Sequence, residues 1–243
     1  MKTARAFTLV ELLVVIAIIS ILAALLMPAL SKSKNQAAKV TDINNFRQIM
    51  IAIHVYADDS TDILPWPNWA AGDVDTNGVS VPGWLYTYDQ KAAALPDRYQ
   101  ANTGLLWKSL GTAKIYICPQ DDPLMVHWSN AQHADATRRQ QSSSYAMNGA
   151  VCGYRRIVYP PVKLAQMQPG DCTFWETDEA KPEYFNDGAN FPSEGVSARH
   201  SQGAVQAQFD ASVSYIRLTQ WYDDVADTNK NRLWCFPNSP DGR

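Results

Sequence analysis

Charge is what this 243-residue chain has least of: charged residues make up 19%, and none falls between Leu12 and Met27. A basic excess is also missing. The formal net charge is -3 and the pI about 5.8, which argues against a nucleic-acid binder, because such domains are usually basic. Cysteine is sparse, with four residues and none before Cys118, and no Cys-x-x-Cys redox motif occurs. Internal repeats and long low-complexity linkers are absent. The slightly negative mean hydropathy excludes a polytopic membrane protein but leaves room for one membrane segment. What remains is a hydrophobic share of 46%, enough for one sizeable folded domain with an appendage.

The apolar residues concentrate at the amino end. Lys2 and Arg5 come first, and from Leu12 to Met27 Ser20 is the one polar side chain. About 20 apolar residues are needed for a helix to cross the hydrocarbon of a bilayer, and Lys2 and Arg5 fit a cytoplasmic amino end. Lys32, Lys34 and Lys39 flank the other side, so charge asymmetry orients the segment only weakly. A cleaved secretory signal has a shorter apolar run of about 7–15 residues. It would not carry Glu11 inside that run, nor continue into a further helical pattern. A carboxylate at the centre of a membrane helix costs on the order of 2.5–3.5 kcal/mol, so Glu11 calls for a partner.

The string Ala6-Phe-Thr-Leu-Val-Glu11 resembles the processing site of type IV prepilins and type II secretion pseudopilins. That resemblance implies cleavage between Ala6 and Phe7 by a prepilin peptidase, with Ala6 where Gly is usual, followed by N-methylation of Phe7. Cleavage creates an α-amine with an ordinary pKa of about 7.7–8.0. Glu11 lies one helical turn from it, close enough for the two charges to neutralise each other. In the family this acid pairs with the amine of a neighbouring subunit during assembly. Implied partners are the peptidase, other pilin or pseudopilin subunits, an inner-membrane assembly platform with its ATPase, and membrane lipid before assembly; nucleic acid is not among them. The implied location is the bacterial inner membrane, single-pass, with the head periplasmic, and later a filament.

Beyond the apolar run, Ile43, Phe46, Ile49, Met50, Ile53 and Tyr56 recur at helical spacing and predict an amphipathic continuation with one face to bury. Lys39, Asp42, Asn45 and Gln48 fall between them. Pro28 is expected to kink or locally melt the helix, and Asp58-Asp-Ser60 with Pro65 and Pro67 to end it. The chain thus divides into a leader at 1–6, a membrane or filament-core helix at 7–30, an amphipathic continuation at 31–60 and a head at 61–243. Short segments such as Lys114-Ile-Tyr-Ile-Cys118, Thr173-Phe-Trp175, Ala204–Phe209 and Ser212–Leu218 read as strands. The fold expected is α+β: a long amino-terminal helix packed on an antiparallel sheet, pilin-like.

Several head strings look like those of large pilin-like proteins: Tyr116-Ile-Cys-Pro119, Ser144-Tyr-Ala-Met-Asn148, and Arg199-His200 with Asp210 ten positions on. The last resembles a His-x9-Asp-Gly signature, with Ala211 in place of the Gly, which argues against a turn of positive φ there. His200 with Asp210 could form an acid–base pair, and Glu176 could join them, but no nucleophile or oxyanion motif accompanies them, so no enzyme is expected. His127, His133 and Asp135 lack zinc-motif spacing. Calcium is the one cofactor weighed. Asp73, Asp75 and Asn77 open like a calcium loop without its closing acid; Asp224, Asp227 and Asn229, with Asp223 and Asn231, form a second oxygen-rich cluster, and an ordinary Asx turn is the favoured reading of each. Cys118, Cys152, Cys172 and Cys235 could form disulfides in a periplasmic head or stay as buried thiols. Eight tryptophans, among them Trp66 and Trp69, are expected mostly as core anchors, with carbohydrate binding as the alternative.

The functional expectation is a structural subunit of a type II secretion pseudopilus or type IV pilus-like filament that supports protein secretion. The alternative is a membrane-anchored binding module or adhesin using the same processing.

Overall fold

The computed structural model describes residues 9–69, 78–94, 96–121, 142–154, 160–178, 181 and 187–243. Helix α1 runs from Leu9 to Asp59 and contains Pro28. The expected local melting is not there: the helix continues through Pro28, which removes the hydrogen bond its missing N–H would donate. Two compact units result, Met1–Ala37 and Ala38–Arg243.

In the first unit, leucines, valines and isoleucines from Leu9 to Leu30 are exposed all round the helix. Ser20 and Ser33 return their hydroxyls to the carbonyls of Ile16 (2.7 Å) and Ala29 (3.0 Å). The segment thus offers lipid or other helices almost no unsatisfied side-chain polarity. Helix α1 is long and apolar enough here to cross a membrane.

The second unit holds five strands: β1 (Tyr145–Asn148), β2 (Cys172–Glu176), β3 (Ala189–Asn190), β4 (Gly203–Gln208) and β5 (Val213–Arg217). Their order is β3-β1-β2-β4-β5. All neighbours are antiparallel except β1 and β3. Short helices α2 (Trp107–Leu110) and α3 (Leu218–Ala226) complete it.

Strand alternation explains why β2 and β4 are buried throughout. Phe174, Val205 and Ala207 pack against Phe46, Ile49, Met50 and Ile53 of α1, the face anticipated from spacing. Each such fully buried side chain contributes about 1.5–3 kcal/mol. On the opposite face, Trp175, Ala204 and Ile216 meet Trp221 of α3. A register shift between Cys172 and Phe174 puts Cys172 on that second face with Trp175, as a bulge does. Asp42 and Asn45 also lie buried on the inner side of α1, although both read as polar spacers in the sequence.

The β4–β5 turn contradicts the expectation drawn from Ala211, whose φ is +63°. The Ala211 N–H donates to Gln208 O (3.0 Å) and the Gln208 N–H to Ser212 O (2.9 Å). The strand pairing thus imposes the left-handed conformation whatever residue stands there. An L-residue there costs about 1–2 kcal/mol, partly offset by the entropy glycine would add to the unfolded chain. Ala211→Gly is therefore expected to stabilise the second unit by about 0.5–1 kcal/mol; an unchanged or lower urea midpoint would overturn that account.

Candidate functional site

Ala6 and Phe7 lie outside the described residues. Glu11 stands in the first turn of α1, exposed among Leu9, Val10, Leu12 and Leu13.

The second unit gathers chemistry from residues far apart along the chain. Asp42, Cys118, Glu176 and His200 are all buried, and one ligand-type atom from each lies within 4.8 Å of the others. His200 Nε2 sits 2.6 Å from Asp42 Oδ2, 3.1 Å from Glu176 Oε1 and 3.7 Å from Cys118 Sγ. Both His200 pairs have side chains at 0% exposure.

Four separate segments deliver these groups. Asp42 falls in the buried stripe of α1 with Ala38, Asn45, Phe46 and Ile49. Glu176 closes β2 two residues after Phe174, so the period-two pleat aims it at α1. Cys118 follows a 3-10 turn at Ala113–Tyr116, where a strand was expected and the Thr112 side chain instead caps the Lys114 N–H; its own N–H donates to Ser144 Oγ at 2.9 Å. His200 precedes β4 and is set by Ser201 and Gln202 at φ +56° and +64°, two left-handed non-glycine residues at about 1–2 kcal/mol each.

Each acid is also held from behind. Tyr145 OH donates to Asp42 Oδ1 (2.5 Å), and Asn45 Nδ2 donates to that hydroxyl (3.0 Å). The Val205 N–H donates to Glu176 Oε2 (2.6 Å), and the Gln120 N–H to Cys118 Sγ (3.3 Å). Burial alone would lower His200, but Asp42 and Glu176 outweigh it and raise its pKa to about 9. Burial raises Glu176, against the pull of His200 and Arg199. It also pushes the Cys118 thiol far up despite Arg199, the reverse of what a thiolate nucleophile requires. Arg199 itself pairs with Asp121 at 3.2 Å.

Asp210 takes no part. It is exposed in the β4–β5 turn, its Oδ1 accepting from the Ser212 N–H at 2.9 Å. The six residues of β4 separate the two ends of the signature by about 20 Å of strand rise. The acids at His200 are Asp42 and Glu176, the second of which the sequence already set beside it. The clue for Asp42 was its place in the three-and-four spacing of the buried stripe. Cys118 carried no comparable signal.

Of the oxygen-rich clusters, Asp73, Asp75 and Asn77 lie outside the described residues. In the second, Asp224 pairs with Arg232 (2.6 Å) and accepts from Gln220 (2.9 Å), while Asp227 Oδ1 accepts from the N–H and Nδ2 of Asn229 (both 2.9 Å). Cys118, Cys152, Cys172 and Cys235 are all buried, and no disulfide joins them. Three of them, Cys152, Cys172 and Cys235, lie near Tyr154. Trp66 is 4% exposed and buried in the core, whereas Trp69 is half-buried. His127, His133, Asp135 and Trp128 lie outside the described residues.

A groove of about 980 Å³ is lined by Tyr154, Phe191, Trp234, Phe236, Asp241 and Arg243, among others, with Glu194 in its wall. Burial pushes Glu194 up to about 7, although its Oε2 accepts from the Phe191 N–H (2.9 Å) and Lys181 is near. A carboxyl raised on folding binds more protons folded than unfolded. Its contribution is therefore whole below about pH 4.5 and lost as pH rises to about 7. Glu194→Gln keeps an acceptor for Phe191. The Tm difference between variant and wild type is expected to widen in the variant's favour from pH 4.5 to 7, and a difference independent of pH would refute the shift.

Residues 1–27 match the family model described as the prokaryotic N-terminal methylation motif. No curated protein and no solved structure matches the chain. The motif and the apolar helix support membrane anchoring and prepilin-type processing, and the head is the α+β architecture expected of a pilin-like subunit. The chain carries a prepilin-type N-terminal methylation motif that leads into a long apolar helix, an arrangement consistent with a pilin or pseudopilin.

Proposed function

We propose that the protein is a structural subunit of a type II secretion pseudopilus or type IV pilus-like filament, supporting protein secretion. The observation that carries this reading is the matched motif at residues 1–27 running into a helix whose apolar side chains are exposed from Leu9 to Leu30. Such a surface is stable only in lipid or among like helices. After cleavage before Phe7 the helix leaves the inner membrane for the filament core, and the head, periplasmic until then, covers the outside. The peptidase, an assembly platform with its ATPase and sister subunits are the partners this requires. Mass spectrometry of the mature amino terminus is the direct test. An N-methylated Phe7 terminus is expected, and an intact Met1 in cells holding the peptidase, or a start beyond residue 20, would contradict it.

The alternative, a membrane-anchored binding module, draws on the groove. Its aromatic side chains next to Asp241 and Arg243 suit a hydroxylated ring that stacks and hydrogen-bonds. Glycan-array binding lost in Phe191→Ala would favour that reading, and a blank array would remove it.

A further inference from the structure

We propose that Asp42, Cys118, Glu176 and His200 bind one zinc ion, which fastens α1 to the sheet. This stands apart from the filament reading, because it rests on the second unit alone.

The ligand set selects the metal. One imidazole, one sulfur and two carboxylates are the donor types of four-coordinate zinc, and four protein donors close the coordination shell, as in structural rather than catalytic sites. Calcium and magnesium take six or more oxygens and do not suit a sulfur and an imidazole.

Valence and charge then argue for an ion over a proton. The Nε2 position carries at most one hydrogen, yet two carboxylate oxygens and a sulfur converge on it. A proton on His200 balances only one of the two buried acids. A divalent ion offsets two of the three negative charges that both carboxylates and the bound thiolate would carry, and the remaining one lies in the field of the Arg199 guanidinium.

The three separations from Nε2 agree with a small adjustment, and the remaining donor pairs lie within 4.8 Å. Bonds of about 2.0–2.3 Å at tetrahedral angles place donors roughly 3.3–3.7 Å apart. The Nε2–Sγ separation of 3.7 Å and the Nε2–Oε1 separation of 3.1 Å are near that range. Nε2 and Asp42 Oδ2, now 2.6 Å apart, would open by about 0.7 Å.

The outer hydrogen bonds fit as well. Tyr145 on Asp42 Oδ1, Val205 on Glu176 Oε2 and Gln120 on Cys118 Sγ fix each donor from the side away from the ion, the arrangement that orients metal ligands. On binding, Nε2 and Sγ release their protons to solvent, so affinity rises with pH.

The test uses the full chain purified in detergent, stripped with a chelator and titrated with zinc alone. One zinc per chain and a raised Tm that the chelator reverses are expected, with no such rise from calcium or magnesium. Cobalt in place of zinc is expected to give a thiolate-to-metal charge-transfer band that Cys118→Ser abolishes. Tyr145→Phe, which removes the outer hydrogen bond on Asp42 and the acceptor for Asn45 Nδ2 but no metal ligand, is expected to weaken zinc about 10–100-fold, and Cys118→Ser to weaken it at least as much. If His200→Ala does not fold, Cys118→Ser, which keeps the shape of the site, decides the matter. Substoichiometric zinc at every concentration with an unmoved Tm, or a cobalt spectrum indifferent to Cys118→Ser, overturns the proposal.

Discussion

Glu11→Gln is expected to enter the membrane at least as well as the wild type and to be nearly absent from filaments. The two effects have opposite signs because the carboxylate has opposite values in the two environments. In lipid, an acid in a membrane helix costs up to about 2.5–3.5 kcal/mol at the centre and less towards the edge, where Glu11 stands. Gln removes that cost while keeping the shape. In the filament proposed here, the acid meets the Phe7 amine of a neighbouring subunit, created only by cleavage and with an ordinary pKa of about 7.7–8.0. Removing one member of a buried ion pair strands the other, at about 3–5 kcal/mol, or roughly 10²–10⁴ in the equilibrium of each contact. The subunit in sheared filaments, relative to that in membranes, is the quantity to measure. A ratio equal to wild type would remove Glu11 from assembly. A variant lost from the membrane as well would point instead to misfolding.

That contrast marks where the sequence was readable. The amino-terminal string could be read because each property is local: an apolar run, one acid, a short leader. The α1 face was readable for the same reason, since Phe46, Ile49, Met50 and Ile53 repeat at the helical period and all reach the core. The site around His200 was not. Its members stand at positions 42, 118, 176 and 200, and no spacing along a chain announces contacts made by the packing of a helix on a sheet. The family signature paired His200 with Asp210, the nearer acid in sequence, but strand β4 runs straight between them. Asp42 and Asn45 misled for a related reason. A polar side chain in an apolar stripe reads as a boundary of the buried face, and only the Tyr145 hydroxyl and Ile117 carbonyl waiting opposite show that it lies within. Ala211 was misread because the pairing of two strands, and not the residue's own preference, decided its backbone.

Asn148 shows the same tertiary logic at its most costly. Its side chain is fully buried and its amide is used completely. Nδ2 donates to Cys172 O (2.9 Å) and Leu233 O (3.0 Å), and Oδ1 accepts from the Ala150 N–H (3.0 Å) and Tyr154 OH (2.8 Å). One residue at the end of β1 thereby ties β2 to the carboxyl-terminal segment and caps the turn that follows. Asn148→Asp preserves volume and both acceptor contacts but removes both donors, and it turns an oxygen towards two buried carbonyls. Leu233 O keeps the Tyr154 hydroxyl at 2.9 Å, so the Cys172 carbonyl bears most of the loss, about 1–3 kcal/mol, and an ionised carboxylate facing both carbonyls adds to it. A loss of about 3–5 kcal/mol at pH 7 is expected, a large part of the roughly 5–15 kcal/mol that holds a domain together, with Tm down by roughly 6–20 °C. Burial would raise the new carboxyl above its unfolded value of about 3.9, so the folded state binds the extra proton. The variant should accordingly be least impaired below about pH 3.9 and lose further ground as pH rises, because a protonated acid supplies one of the two missing donors. A urea midpoint within about 0.5 kcal/mol of wild type at pH 7, or a deficit that does not shrink in acid, would show that the amide is not the tie described.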